Sequence, residues 1–185
     1  MGWFCEKKDG IPHEKRAGTT LDVCYIFNNH AYIGHVGDSV IYLLRGNELN
    51  NLVLPEGYVP PEDEGLEKLK MMHGEKSIDS FVGEKKDIEP LLKKVELQKD
   101  DILLMTTDGL VKMLFEDEIK EELQRSSFEN SAYNLKIAAR NPKRVAEYIA
   151  AFKKENPDDV LKRIIGNDAI TIITIKVFGE NNDKE

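Results

Sequence analysis

Apolar and polar side chains alternate along the first third of the chain from Thr19 onward, which is the two-residue period of a β-strand. Asn-Asn-His at 28–30 and Arg-Gly-Asn-Glu at 45–48 have the composition of tight turns. The runs between these turns are therefore expected to pair as antiparallel strands. The pattern predicts a four-stranded meander with strands at residues 21–27, 31–36, 40–45 and 49–54.

The rest of the chain predicts further strands and a group of helices. The strand predicted at residues 102–107 is so apolar that we expect it to be central and buried on both faces. Two other strands are predicted, at residues 92–97 and 169–177. Helices are predicted where apolar side chains recur three or four positions apart, in residues 66–72, 116–124, 130–139 and 142–153.

This order of elements is typical of an α+β domain in which helices cover antiparallel sheet. A chain of 185 residues with 41% hydrophobic residues is long enough to bury one core. We therefore expect one domain at residues 19–178. An irregular arm at residues 1–18 is expected to precede it, and a disordered acidic tail at residues 179–185 to follow it.

The net charge of -8 narrows the classes of partner. No broad basic surface is expected, which argues against nucleic acid as a partner. No apolar run approaches the roughly 20 residues that span a bilayer, so no membrane association is expected. Two cysteines are too few for a disulfide framework, and they favour a cytoplasmic protein.

Three aspartates occupy matching positions at the ends of predicted strands. Asp38 follows the second strand, Asp108 follows the strand at 102–107, and Asp168 directly precedes the last strand. A glycine lies within two residues of each aspartate, and glycine allows a short side chain to project from a sheet edge. Hard cations such as Mg²⁺ and Mn²⁺ prefer such oxygen ligands. Each aspartate alone is better explained as part of an ordinary turn, but the combination of three makes them candidate metal ligands.

Four segments carry a resemblance to a known family. They are "AGTT" at 17–20, "HVGDSVIYLLRGNEL" at 35–49, "VELQKDDILLMTTDGL" at 95–110 and "NDAITIITIKV" at 167–177. In this order they resemble sequence blocks of the metal-dependent, type-2C (PPM-type) serine/threonine protein phosphatases. The resemblance implies an α/β/β/α sandwich of two packed antiparallel β-sheets flanked by helices.

The resemblance also implies a site and a reaction. Asp108 and Asp168 would be ligands of a pair of Mg²⁺ or Mn²⁺ ions, and Asp38 would hold a third ion together with Asp108. The implied substrate is a phosphoprotein, whose phosphoserine or phosphothreonine ester would be hydrolysed by metal-activated water.

The same family carries an upstream part of the metal site, with an arginine and a strand ending in Asp-Gly-His-Gly-Gly or a similar sequence. The residues before Thr19 do not match this pattern, so half of the expected metal site is not in this chain. Three interpretations stay open: a truncated or divergent active phosphatase, a catalytically inactive phosphatase-like binding or regulatory module, or a longer native protein. Missing strands would leave apolar faces uncovered, which makes a homodimer a further expectation.

His35 is the one histidine on a predicted strand near these aspartates, where it alternates with Ile33. It could assist proton transfer, or it could be a half-buried structural residue. A strand histidine is more often structural, and we favour that interpretation. No catalytic residue beyond the metal ligands is predicted.

Overall fold

The computed structural model describes residues 18–54, 81–83, 88–125, 127–141 and 169–179. The helices predicted at 66–72 and 142–153, the arm at 1–17, Asp168 and the tail from 180 onward lie outside these ranges. The described strands are β1 (Leu21–Phe27), β2 (His30–Val36), β3 (Val40–Arg45), β4 (Glu48–Val53), β5 (Leu91–Glu96), β6 (Ile102–Thr106) and β7 (Ile172–Lys176). The described helices are α1 (Asp108–Val111), α2 (Glu116–Arg125) and α3 (Phe128–Ala139).

The strands form two antiparallel sheets that pack on each other. The three-stranded sheet has the order β1-β2-β5, and the four-stranded sheet has the order β4-β3-β6-β7. The predicted fold class of two packed antiparallel β-sheets with flanking helices is confirmed. The predicted meander is wrong, because β2 and β3 lie in different sheets. The chain leaves one sheet at Gly37, which has a backbone φ of 126°. Glycine adopts this angle without strain, whereas other residues do not.

The two central strands of the four-stranded sheet, β3 and β6, are buried on both faces. In β3, Tyr42 faces the helices, whereas Ile41 and Leu43 face the three-stranded sheet. In β6, Leu104 faces the helices and Leu103 faces the three-stranded sheet. The strand predicted at 102–107 is thus central and buried on both faces, as expected.

The helices cover the outer side of the four-stranded sheet. The backbone amide of Phe115, directly before α2, donates to the Glu118 carboxylate over 2.8 Å. This hydrogen bond caps the start of the helix. Its buried side chains are Ile119 and Leu123, and α3 contributes Leu135 to the same core. None of the three described helices has the length and apolar character needed to cross a bilayer.

Arg45 links the two sheets through a partly buried ion pair with Asp101 and a hydrogen bond to β5. Arg45, at the end of β3, donates from Nε and Nη2 to the two carboxylate oxygens of Asp101, over 3.0 and 2.7 Å. The same Nη2 donates to the carbonyl of Glu96 in β5 over 2.8 Å. The Gln98 amide also donates to Asp101, whose side chain is 1% exposed. Because all these donors converge on one buried carboxylate, its charge is compensated.

A side chain at residue 37 should destabilise the fold. A Cβ at this position would lie 2.4 Å from the Thr20 Cγ2 atom, on a backbone that side chains rarely adopt. Gly37→Ala is expected to lower the free energy of unfolding by about 3 kcal/mol, measured by urea denaturation. Gly46→Ala is the matched control, because Gly46 also has a positive φ, of 58°, but a Cβ added there would have no neighbouring atom within 4 Å. It should cost only about 1 kcal/mol, and equal losses would contradict the steric explanation.

Candidate metal site at one end of the four-stranded sheet

The start of β3 and the end of β6 lie side by side. Val40 and Thr106 are partners in the antiparallel register of these strands. Asp38 precedes Val40 by two residues, and Asp108 follows Thr106 by two residues. Because antiparallel strands advance in opposite directions, both aspartates are brought to the same end of the sheet.

Asp38 is half-buried and lies in the bend between the two sheets. The bend is held by His35, whose Nε2 is 2.9 Å from the Gly37 carbonyl oxygen. The other ring nitrogen, Nδ1, is 2.6 Å from Asp22 Oδ1. Both ring nitrogens face acceptors, so a protonated ring donates to both. This geometry supports the structural interpretation of His35 over proton transfer.

The surroundings of His35 favour its charged form. Burial lowers the pKa of His35, but the hydrogen bond and charge of Asp22 raise it, as do the Gly37 carbonyl and the charge of Asp38. The net result is a pKa of His35 above its ordinary value. The Asp22 partner could have been found from the sequence, because a turn at Asn28 and Asn29 pairs residue 22 with residue 35.

Asp108 is the first residue of α1, a short helix that the sequence pattern did not predict. Its carboxylate is 23% exposed, and its Oδ2 lies 2.5 Å from the Nζ of Lys112. Lys112 was missed in the sequence, although a spacing of four residues on a helix is the signal for such a pair. A cation of the protein itself therefore lies against Asp108, one of the two predicted ligands that the structure describes.

Thr107 ties the end of β6 to the segment that enters β7. Its hydroxyl donates to the Ala169 carbonyl over 2.8 Å and accepts from the Thr171 amide over 3.1 Å. The Thr107 amide donates to the Thr171 carbonyl over 3.2 Å. Asp168 lies outside the described residues, but the residue after it, Ala169, is thus bonded to the neighbour of Asp108.

The donor chemistry of this end of the sheet fits a hard divalent cation. Asp38 and Asp108 offer carboxylate oxygens, which Mg²⁺ and Mn²⁺ prefer. The described residues contain no group of three or more His, Cys, Asp or Glu side chains placed to hold a metal ion. The described part of the chain therefore has two carboxylates at this end of the sheet, and whether they share a metal ion with Asp168 stays a prediction.

Comparison with known proteins identifies related sequences. No protein-family model matches the chain. Protein phosphatase PhpP of Streptococcus pneumoniae is 35% identical over 113 residues, covering 56% of this chain and 44% of that protein. Serine/threonine protein phosphatase PstP of Mycobacterium tuberculosis is 29% identical over 133 residues, covering 67% of this chain and 25% of that protein. The chain spans less than half the length of these relatives.

Solved structures agree with these relatives. The PstP catalytic domain in complex with two manganese ions has a TM-score of 0.60 at 24% identity, over 88% of this chain and 60% of that one. A second structure, PstP/Ppp of Mycobacterium tuberculosis, has a TM-score of 0.54 at 28% identity, over 66% of this chain and 53% of that one. The two packed antiparallel sheets and these relatives support the resemblance of this chain to the metal-dependent, type-2C (PPM-type) serine/threonine protein phosphatases.

Proposed function

We propose that this chain acts in the metal-dependent hydrolysis of phosphoserine and phosphothreonine esters in proteins. The observation that carries the proposal is the register of β3 with β6, since it brings Asp38 and Asp108 to one end of a sheet. With Asp168 they would hold Mg²⁺ or Mn²⁺, and the bound cations would neutralise the phosphate ester and activate the attacking water. The manganese-bound PstP domain supports this choice of cation.

The described residues would prepare the site in two ways. His35 holds the Gly37 carbonyl and so fixes the bend that presents Asp38. Thr107 fixes the entrance to β7, next to Asp108, through its hydrogen bonds to Ala169 and Thr171. In a chain of net charge -8, carboxylates alone would repel a phosphate ester, so the proposed activity depends on the cations. A cytoplasmic location, where phosphoproteins are abundant, is part of the same proposal.

Hydrolysis of a phosphate monoester in millimolar Mn²⁺ tests this function. Purified chain is expected to release phosphate only with the metal, and Asp108→Ala should lose at least about 100-fold in rate because a ligand of the cations is removed. Asp117→Ala is the matched control, since Asp117 is an exposed helix carboxylate paired with Lys120 at 3.3 Å. It should keep full activity. Folded wild-type chain without turnover at any Mn²⁺ concentration would refute an active phosphatase.

A second candidate function is a phosphatase-like binding or regulatory module without catalysis. The observation that favours it is the ion pair of Lys112 with Asp108. An ammonium group 2.5 Å from the carboxylate satisfies part of its charge without a metal and competes with cation binding. Tight calorimetric binding of two Mn²⁺ ions by the wild-type chain would argue against this candidate.

The role of Lys112 can be measured directly by titration calorimetry with Mn²⁺. Lys112→Met is expected to tighten Mn²⁺ binding about fivefold, the effect of removing about 1 kcal/mol of competing attraction from a partly exposed ion pair. Lys120→Met removes the equivalent lysine from the Asp117 pair and should leave Mn²⁺ affinity unchanged. An unchanged affinity in Lys112→Met would show that Lys112 does not compete with the metal.

The raised pKa of His35 gives a dependence of stability on pH. A group whose pKa is higher in the folded state stabilises the fold fully below its unfolded pKa, and that contribution is lost as pH rises through the folded value. The free energy of unfolding in metal-free buffer should therefore decline as the pH rises from 6 past the ordinary histidine pKa of about 6.5.

Two variants isolate this contribution in urea denaturation across that pH range. His35→Gln should be less stable at low pH and should lack the decline, because it has no proton to lose. His30→Gln, on the same strand, should keep the decline because His35 is retained. If the decline persists in His35→Gln, another ionisable group causes it.

A further inference from the structure

One face of the three-stranded sheet is apolar and turned to solvent. Ala31 and Ile33 point inward and are buried against the four-stranded sheet. Alternation along each strand directs the intervening side chains outward. Cross-strand partners such as Tyr25 with Tyr32 make these side chains one continuous surface. We call it the outer face, and its large apolar side chains, 38% to 77% exposed, are Leu21, Val23, Tyr25, Phe27, Tyr32 and Leu92.

Aromatic rings form the centre of the outer face. The ring of Tyr25 stacks on Phe27 with centroids 6.1 Å apart, and it lies 6.2 Å from the ring of Tyr32. The Nζ of Lys94 lies 5.4 Å from the centroid of the Tyr32 ring. Exposed aromatics held by their neighbours lose little freedom on binding, and they are enriched in protein interfaces. All three described helices lie on the far side of the four-stranded sheet.

The charges around the outer face do not oppose self-association. The chain as a whole carries -8, but the outward positions of the three strands hold only Lys94, Glu96 and His30 as ionisable groups besides the tyrosines. The one charged side chain of β1, Asp22, points to the other side and binds His35. The three described strands therefore place only one carboxylate, that of Glu96, on this surface.

We propose that the outer face is the interface of a homodimer, in which two copies of this chain pack sheet against sheet across a twofold axis. The six apolar side chains offer on the order of 600 Å² per chain. Dimerisation would remove on the order of 1,200 Å² of surface from water in total, which is at the lower end of the range for specific protein interfaces. Across a twofold axis, Lys94 of one copy can face Glu96 of the other at the polar rim.

This dimer does not depend on the proposed phosphatase activity. The outer face is separated from the end of β3 and β6 by the packing between the two sheets. Loss of the dimer and loss of phosphate release are thus separate results.

Sedimentation equilibrium of the full chain over a wide concentration range tests the proposal. Wild-type chain is expected to convert from monomer to dimer as concentration rises. Tyr25→Lys places a charge at the centre of each copy's outer face and should raise the dimer dissociation constant about tenfold or more. Tyr133→Lys is the matched control, because Tyr133 is 63% exposed on α3, beyond the four-stranded sheet. It should associate like wild type.

Each other outcome overturns the proposal. A chain that is monomeric at all concentrations has no such interface, and a dimer unaffected by Tyr25→Lys uses another surface. The only tryptophan, Trp3, adds a third readout. A monomeric wild type whose Trp3 emission changes in Tyr25→Lys would assign the outer face to residues 1–17 of the same chain instead. Far-ultraviolet circular dichroism of both variants confirms that each remains folded.

Discussion

The absence of a side chain at residue 37 is the constraint on which the rest of the structure depends. With a φ of 126° and Thr20 in close contact, this position lets the chain leave one sheet and enter the other within three residues. The same bend puts Asp38 two residues before β3, at the end of the sheet where β6 stops. One backbone requirement therefore creates both the two-sheet architecture and the position of a candidate metal ligand.

The bend is reinforced by groups that come from elsewhere in the chain. His35 connects Asp22 on β1 with the carbonyl of Gly37, so that the first strand helps to hold the loop that carries Asp38. On the other side of the site, Thr107 holds the entrance to β7 through side-chain and backbone bonds. These contacts give the site rigidity without contributing a ligand to it, as supporting hydrogen bonds do around metal sites.

The balance of charge at this end of the sheet decides between the two proposed functions. Asp108 has an ammonium partner in Lys112, which is a flexible side chain that can move away when a stronger cation binds. A divalent ion offers more charge than one lysine but must lose bound water first. The number of carboxylates gathered there therefore determines whether metal or lysine prevails. The outer face of the other sheet is governed by a different force, the removal of apolar surface from water.

The sequence by itself determined the elements and their chemistry, because strand alternation and turn composition are local properties. Strands β1 to β6, the central position of β6 and the buried stripe of α2 follow from that local pattern. The matching positions of Asp38 and Asp108 were visible in the same way. Only the tertiary structure decided that β2 and β3 part into different sheets, since the sequence pattern of a meander is the same whether or not the chain changes sheets at Gly37. The pairing of Arg45 with Asp101 likewise required the fold, because the two residues are far apart in sequence and only the folded chain buries the Asp101 carboxylate.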